Sequence, residues 1–319
     1  MRFALMIEPQ QGLSYEEQLA VARRAEAAGF EALFRSDHYE SFPGSSDQPT
    51  TDAWAVLAGL ARETTTLGLG VLVSPVLFRT PGNLAKVALT VDEMSGGRIE
   101  VGLGAGWHAE EHRRHGFPFP EIRERADHLE EALEILHGLW EGPDGWSFLG
   151  RHYAIEDAHM RPKAGSIPGR ESGRPAIILG GEGSPRSFRL AARYADEFNL
   201  SSSSPEVAAT KFAELDETLR AAGREPATIT RSAMVGLLIG RDDAEVHRRE
   251  SDLLLAFGEP EGGAGWFAAR RARWLHGTPD AARAMVQRFS AAGAERMMLQ
   301  DFVARDLDMI DLAGEVLID

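Results

Sequence analysis

Short apolar runs alternate with longer amphipathic segments along most of the chain. The first run, Arg2–Ile7, has the length and composition of a buried strand, and Leu19, Ala22 and Ala25 then recur at helical spacing. The alternation continues to the last helical segment. It predicts eight strands, each followed by helix, at Arg2–Ile7, Glu31–Arg35, Thr66–Val73, Ile99–Gly102, Pro175–Leu179, Phe198–Leu200, Ser232–Ile239 and Met297–Gln300.

Capping residues mark several of the predicted helix boundaries. Ser14 and Glu17 have the spacing of a capping box, in which each side chain binds the other residue's free backbone N–H. Ser184-Pro185 and Ser204-Pro205 each combine a capping serine with a proline at the first helical position. These local signals agree with helices placed between the apolar runs.

The spacing of the strands favours a closed barrel. The early strands recur about every 30 residues, which is the size of one βα unit. Eight such units in 319 residues predict a single (β/α)8 barrel domain over residues 1–319, although an open doubly wound sheet shares the local pattern. Two Gly-rich insertions interrupt the alternation, at 142–174 after the fourth long helix and at 258–277 after strand seven. Trp146–Ile155 is expected to form a hairpin in the first.

The amino-acid composition excludes several classes of binding partner and of chemistry. The chain has 34 Lys and Arg against 49 Asp and Glu, a net charge of -15, which repels nucleic acid. No apolar segment reaches the length of a membrane span, and the N-terminus reads as a strand rather than a signal peptide. The absence of cysteine excludes disulfides and thiol catalysis. We therefore expect a cytoplasmic protein that acts on small molecules.

The stretch VGLGAGWHAEEHRRHG, residues 101–116, admits three chemistries. Residues 104–109 fit the dinucleotide fingerprint G-x-G-x-x-A, but they follow the fourth strand, and no acidic strand end comes about 20 residues later. His108, Glu111 and His112 fit the H-x-x-E-H pattern of a zinc hydrolase, yet the helix is short and no third ligand is marked out. We expect the three histidines, two arginines and two glutamates of this stretch to form a solvated polar face, with no metal site. The third interpretation is a loop at a barrel mouth, in which Gly102, Gly104 and Gly106 let the backbone approach a flat ring or a phosphate and Trp107 lies beside it.

Two other strand ends carry candidate chemistry, because the active sites of barrels lie at the C-terminal ends of the strands. Asp37-His38 follows the second strand, where the histidine could move a proton and the aspartate could hold its tautomer. Residues 180–184 follow the fifth strand, and their glycines and helix-capping serine are typical of a phosphate-binding turn.

Five segments, in order along the chain, carry a resemblance to a known family. They are FRSDHY (34–39), GVLVSPVLFRTPGNLAK (70–86), DEMSGGRIEVGLGAGW (92–107), ILGGEG (178–183) and RLAARYADEFNL (189–200). Together they resemble the luciferase-like flavin/deazaflavin family of (β/α)8 barrels, the bacterial luciferase-like monooxygenase superfamily. The branch they most resemble uses the 8-hydroxy-5-deazaflavin coenzyme F420.

The resemblance implies a cofactor lying across the barrel mouth. It places a bulge on the third strand, often with a non-prolyl cis peptide, and the matching bond is Val71–Leu72. It also implies that His38 exchanges a proton with the substrate while Asp37 orients it. The residues that it assigns to the cofactor are Val71, Leu72, Ser74, Gly104, Ala105, Gly106, Trp107, Gly180, Gly181, Glu182, Gly183 and Ser184.

The activity implied by the resemblance is hydride transfer between F420 and a small organic substrate. Trp107 stands where the sugar-phosphate dehydrogenases of the family carry a proton-donating glutamate, which argues against that particular activity. An FMN-dependent monooxygenase supplied by a separate reductase is the alternative on the same fold. A zinc hydrolase and a non-catalytic deazaflavin-binding barrel are the alternatives of other classes. Family members are often homodimers, and we expect the same here.

Overall fold

The computed structural model describes residues 1–42, 47–170, 173–257 and 263–318. Its strands, numbered along the chain, are β1 (Arg2–Ile7), β2 (Ala32–Arg35), β3 (Gly68–Pro75), β4 (Ile99–Gly104), β5 (Trp146–Leu149), β6 (Ala154–Ala158), β7 (Ala176–Gly181), β8 (Glu197–Leu200), β9 (Thr230–Ile239), β10 (Leu275–Gly277) and β11 (Arg296–Asp301).

Helices separate the strands, as the alternation predicts. They are α1 (Tyr15–Ala27), α2 (Ala53–Glu63), α3 (Pro81–Ser95), α4 (Ala109–His115), α5 (Ile122–Glu141), α6 (Pro185–Tyr194), α7 (Pro205–Ala221), α8 (Asp243–Ala256), α9 (Gly263–Arg271), α10 (Pro279–Ala291) and α11 (Leu307–Leu317). The capping box at Ser14 and Glu17 is confirmed, because both reciprocal hydrogen bonds are present. Ser184 and Ser204 cap α6 and α7 as predicted.

The strands β1, β2, β3, β4, β7, β8, β9 and β11 form a closed parallel barrel. Their hydrogen-bonded order is β9-β11-β1-β2-β3-β4-β7-β8, and a pairing between β8 and β9 closes the ring. The closure confirms the (β/α)8 barrel and excludes the open sheet. The eight predicted strands all occur, and their ends differ from the predicted ones by at most two residues.

Side chains alternate between two cores, as successive residues of a strand point to opposite faces. One core fills the space between barrel and helices, and the other fills the barrel lumen with residues such as Met6, Phe34 and Met298. At the N-terminal end of the lumen the Arg296 guanidinium donates to Glu100 and Glu197 at 2.7 and 2.9 Å. This network fills the lumen at the N-terminal ends of the strands. The open mouth of the barrel therefore lies at their C-terminal ends.

The first insertion contains the predicted hairpin, formed by antiparallel β5 and β6 and continued to Ala158. The hairpin lies against α5, where a Cβ at Gly138 would come within 2.0 Å of the Trp146 ring. The second insertion is not a loop throughout. It includes α9 and β10, which extends the sheet beside β9, while residues 258–262 of the predicted Gly-rich stretch lie outside the described residues. Within the described ranges, no helix is both long and apolar enough for a membrane span.

Candidate active site

Polar side chains from three strand ends meet at the barrel mouth. The Glu8 carboxylate accepts a hydrogen bond from the Gln10 amide at 2.8 Å and another from the Gln300 amide. The Ser36 hydroxyl donates to Gln10 at 2.6 Å. All but Gln300 are buried. They converge because parallel strands end at the same rim, and they give the mouth a buried polar margin beside its apolar lumen.

A histidine–glutamate pair stands beside this margin. His38 Nδ1 lies 2.9 Å from Glu111 Oε2, although the two residues are 73 positions apart in the chain. The other carboxylate oxygen accepts backbone N–H groups from Tyr39 and from Glu40, the latter at 3.2 Å. The Glu111 side chain is 1% exposed and that of His38 is 13% exposed. The loop after β2 is therefore fastened to α4 through one buried carboxylate.

The electrostatics keep Glu111 ionised. Burial by itself raises the pKa of Glu111, but the hydrogen bond and charge of His38 and the backbone donors outweigh burial and lower the pKa. An ionised carboxylate only accepts hydrogen bonds, so His38 carries its proton on Nδ1 when neutral and donates it to Glu111. This tautomer leaves Nε2, on the far side of the ring, as the nitrogen that can exchange a proton.

Asp37 does not have the role that the sequence predicted for it. Its carboxylate accepts hydrogen bonds from the Ser74 hydroxyl at 2.7 Å and from Arg79, which also binds Asp52. Asp37 therefore contacts Ser74 and Arg79, whereas neighbouring His38 contacts Glu111 and the Trp107 ring. Glu111, rather than Asp37, therefore holds the imidazole of His38.

The Asp37 network joins β2, β3 and α2 at the rim. Burial lowers the pKa of Arg79, but Asp37 and Asp52 outweigh burial and raise it above its ordinary range, so Arg79 stays charged. The indole N–H of Trp54, on α2, donates to the Ser74 hydroxyl at 3.1 Å. The Ser74 side chain therefore lies between the barrel and α2. The Ser74 hydroxyl is buried and bonded to Trp54 and Asp37, and the contact of Ser74 with a cofactor stays a prediction.

The predicted strand bulge is present, but one residue later than expected. The non-prolyl cis peptide joins Leu72 to Val73, not Val71 to Leu72. The register with β4 changes between Val71 and Ser74, where β3 holds one extra residue. Motif similarity locates the strand, whereas the pairing with β4 decides which residues lie in the bulge. Val71 packs in the outer core, and Leu72 and Val73 face the lumen.

The glycines of β4 and β7 make room for this bulge. A Cβ at Gly104 would lie 2.7 Å from Val73 Cγ2, and one at Gly180 would lie 2.9 Å from Val73 Cγ1. At Gly102 a Cβ would lie 2.1 Å from the Val71 carbonyl oxygen. The sequence interpretation attributed these glycines to ligand approach, but their immediate neighbour is the protein's own third strand. Together they leave Leu72 and Val73 as an apolar platform in the lumen.

The loop after β4 forms an aromatic wall beside His38. Gly106 has a positive φ of 78° at the turn, Ala105 is half-buried, and Trp107 is 65% exposed. The Trp107 ring centroid lies 5.9 Å from that of His38 and 5.3 Å from that of Phe42. A large apolar side chain left this open at the mouth is available to a ligand.

The zinc reading of this loop is wrong for the described structure. His108 is the N-cap of α4 and lies outside the helix, so the i, i+4 pairing with His112 is lost. His112 is buried, and its Nδ1 lies 2.9 Å from the Pro118 carbonyl oxygen. In the described part of the chain, His108, Glu111 and His112 do not bring their ligand atoms close enough to share one ion. The expected solvated face holds only in part. Glu110, Arg113, Arg114 and His115 are exposed, whereas Glu111 and His112 are buried.

The turn after β7 is rich in glycine and leads directly into helix α6. Gly183 has a positive φ of 78°, and a Cβ there would meet the Phe188 ring at 2.7 Å. The Ser184 hydroxyl accepts the Ser187 N–H at 3.1 Å, and α6 begins at Pro185. Gly180 and Gly181 end β7, and Glu182 is exposed. The remaining N–H groups of the first turn and the helix dipole favour a negative group at this turn.

Sequence reasoning missed three residues that shape the site. Glu111 was considered only as a zinc-motif residue, Arg79 was not singled out, and Val73 was passed over beside Leu72. The carboxylate that pairs with His38 and the arginine that pairs with Asp37 lie 73 and 42 positions away. No local pattern signals such partners. Active sites of barrels lie at the C-terminal ends of the strands. A search of the first helical turn after each strand end would have included Glu111, on α4 after β4.

Comparison with known proteins gives one family and a consistent set of relatives. The family model described as luciferase-like monooxygenase matches residues 1–308. An F420-dependent glucose-6-phosphate dehydrogenase from Microbacterium testaceum is 32% identical over 203 residues, which cover 63% of this chain and 57% of the relative. The chain thus spans little more than half the length of this relative.

Two further proteins show the range of the family. An FMNH2-dependent dimethylsulfone monooxygenase from Pseudomonas putida is 29% identical over 258 residues, covering 80% of this chain and 66% of the relative. The solved structure of an F420-dependent secondary alcohol dehydrogenase in complex with an F420–acetone adduct superposes with a TM-score of 0.83. It is 19% identical and covers 99% of this chain and 98% of that one, so the likeness shows the fold.

Proposed function

The chain belongs to the luciferase-like monooxygenase family, and we propose that it transfers a hydride between coenzyme F420 and a small organic substrate bearing a hydroxyl or carbonyl group. F420-dependent dehydrogenases are among both its sequence relatives and its structural neighbours. The observation that carries the proposal is the His38–Glu111 pair at the barrel mouth.

The pair supplies what such a reaction needs from a protein. Oxidation of an alcohol releases a proton from its oxygen, and reduction of a carbonyl returns one. His38 Nε2 takes or gives this proton, while ionised Glu111 holds the ring through Nδ1 and stabilises its positive charge. Phe42 and Trp107 flank the imidazole, with ring centroids 4.4 and 5.9 Å from that of His38. In this proposal His38 is the catalytic residue and Glu111 a positioning residue.

The residues at the mouth fit a planar ring with an anionic tail. Leu72 and Val73 form the apolar platform, and Ser203 Oγ is buried at the same rim without a hydrogen-bond partner among the described residues. When bound, F420 supplies a ring carbon that gives or accepts a hydride. We propose that the bulge backs the ring, that residues 104–107 contact it, and that Gly180, Gly181, Glu182, Gly183 and Ser184 hold the phosphate-bearing tail.

Cofactor titration tests the proposal. The chain has six tryptophans, and Trp107 stands at the mouth, so binding should quench its fluorescence. We expect saturable quenching with F420 and much weaker quenching with FMN, and Trp107→Phe should lose most of the signal. F420-linked turnover should then appear with some alcohol or carbonyl substrates and disappear in His38→Ala. Unchanged turnover in His38→Ala would remove the proposed proton exchange.

An FMN-dependent monooxygenase is the second candidate. The dimethylsulfone monooxygenase match covers a larger share of this chain than the dehydrogenase match does, 80% against 63%. Preferential binding of FMN would favour this function, together with a separate reductase that supplies the reduced flavin. Tight F420 binding with no turnover on a broad substrate panel would instead favour a non-catalytic binding protein.

We further propose that the chain works as a single catalytic domain in the cytoplasm and as a homodimer. The continuous barrel and the formal net charge of -15 are compatible with this arrangement. Native mass measurement of the purified chain tests the dimer, and a monomeric mass at micromolar concentration would contradict it.

A further inference from the structure

The hairpin of β5 and β6 is fastened to α5 along its length. Near its base, Trp146 lies over Gly138 of the helix. At its tip, the Glu131 carboxylate accepts backbone N–H groups from Arg151 at 2.7 Å and from His152 and Tyr153 at 3.0 Å. The tip therefore approaches the N-terminal half of α5.

Three side chains of types that bind metal ions lie close together where the hairpin tip contacts α5. Glu124 and His128 are four residues apart on α5, so they lie on one face of the helix. His152 comes from the hairpin tip, and its ring centroid lies 3.9 Å from that of His128. One carboxylate oxygen and one nitrogen from each ring all lie within 4.8 Å of one another.

Both imidazoles have ring atoms that the protein itself does not satisfy. His128 Nδ1 and His152 Nε2 are buried and have no hydrogen-bond partner among the described residues. Buried polar atoms in folded proteins are usually paired, so two such atoms in adjacent rings call for an explanation.

We propose that Glu124, His128 and His152 form a binding site for a divalent transition-metal ion of the Zn²⁺ type, which fastens the hairpin tip to α5. Two imidazoles and a carboxylate match the ligands that Zn²⁺ takes in proteins, whereas Mg²⁺ and Ca²⁺ prefer oxygen ligands alone. Bonds of about 2.0–2.1 Å require ligand atoms about 3.3 Å apart in a tetrahedron. The ligand atoms lie within 4.8 Å of one another, and rotation of the exposed Glu124 side chain can bring its carboxylate closer to the two rings.

The site belongs to the rim of the barrel but is separate from the proposed catalytic residues. Arg186, in the first turn of α6, binds Asp127 at 2.6 Å and the Arg123 carbonyl oxygen at 3.3 Å. The N-terminal part of α5 therefore lies level with the turn after β7. An ion at this position ties the first insertion to the rim and is expected to stiffen the insertion without entering the lumen.

Zinc binding to the full-length, tag-free and chelator-treated chain tests the site. We expect saturable binding of one Zn²⁺ by calorimetry, a higher melting temperature with Zn²⁺, and a tetrahedral visible spectrum with Co²⁺. His128→Ala and His152→Ala should each weaken binding at least tenfold. His159→Ala, a neighbouring exposed histidine next to Asp157, is the matched control and should bind as the parent does.

Limited trypsin digestion checks the fastening itself. Arg151 is exposed at the hairpin tip beside His152, so bound Zn²⁺ should slow cleavage there in the parent and the control but not in His128→Ala. Circular dichroism of each variant shows whether it is folded. Equal Zn²⁺ affinity in all four proteins, or no saturable binding below millimolar Zn²⁺, would overturn the proposal.

Discussion

The described chain contains several pairs of a histidine and a carboxylate. The pair of His38 and Glu111 differs from the others because its carboxylate side chain is almost completely buried. The Glu111 side chain is 1% exposed, against 19% for Glu250 beside His276 and 51% for Glu141 beside His137. An ion pair shielded from water is less screened than one at the surface. At the residue scale, the charge of Glu111 is therefore the feature that sets His38 apart from an ordinary surface histidine.

Replacing that charge should impair turnover without removing the cofactor. We predict that Glu111→Gln lowers kcat by about 10²–10³, because the amide cannot stabilise a protonated His38 as the carboxylate does. The dissociation constant for the cofactor should change by less than about threefold. Steady-state kinetics and fluorescence titration on the same preparation measure both quantities.

The controls separate positioning from general damage. Glu110→Gln changes an exposed residue of the same helix and should leave kcat unaltered. Glu111→Asp keeps the charge and should recover part of the lost kcat. If Glu111→Gln turns over like the parent, Glu111 does not support the chemistry of His38.

At the scale of elements, the bulge of β3 and the glycines of β4 and β7 form one packed unit. Val73 projects into space that exists because Gly104 and Gly180 have no side chains. Gly181, one residue further along β7, has open space where its Cβ would be. Gly104 and Gly180 therefore make room for Val73, whereas Gly181 does not, a difference that the sequence alone does not show.

The packing predicts a non-additive pair of substitutions. Gly104→Ala should destabilise the fold by about 1–3 kcal/mol, because the added methyl meets Val73. The double variant Gly104→Ala/Val73→Ala should lose at least about 0.5 kcal/mol less than the sum of the single losses. Urea unfolding followed by circular dichroism gives the four free energies of the cycle.

Gly181→Ala is the matched control and should change the free energy of unfolding by less than about 0.5 kcal/mol. Additive losses at Gly104 and Val73 would mean that the bulge does not depend on the glycine.

At the scale of the whole molecule, folding traps charged and titratable groups away from water. Arg296, Glu100 and Glu197 form the network at the closed end of the lumen. Asp301, at the end of β11, is fully buried with one carboxylate oxygen unpaired among the described residues. Burial, with a smaller contribution from Asp306, raises the pKa of Asp301 to about 7.

The raised pKa predicts how global stability depends on pH. Between the ordinary value of 3.8 and about 7, the folded chain holds a proton on Asp301 that the unfolded chain has lost. Stability from this group is complete below the unfolded pKa and is lost as the pH rises through the folded pKa. Asp301→Asn keeps the acceptor for the Val303 N–H and removes the titration. It should therefore be more stable than the parent by about 1–3 kcal/mol at pH 8.

Urea unfolding at pH 5 and pH 8 measures the difference. Asp280→Asn, at a 97% exposed side chain, is the control and should track the parent at both values. A parent and an Asp301→Asn variant that show the same change between pH 5 and pH 8 would contradict the assignment.

The sequence by itself determined the order of strands and helices and favoured a closed barrel over an open sheet. Strand and helix periods and the caps at Ser14, Ser184 and Ser204 depend on neighbours a few residues away, so they can be read locally. The rule that barrel sites lie at strand ends then sufficed to single out His38 and the turn at 180–184.

Only the tertiary structure decided which of those side chains work together. Glu111 rather than Asp37 meets His38, Asp37 meets Arg79, and the bulge falls at Leu72–Val73, where the pairing with β4 places it. The partners are 42 and 73 positions apart. Closure of the barrel brings these distant residues together, so neither pairing is encoded in a local pattern.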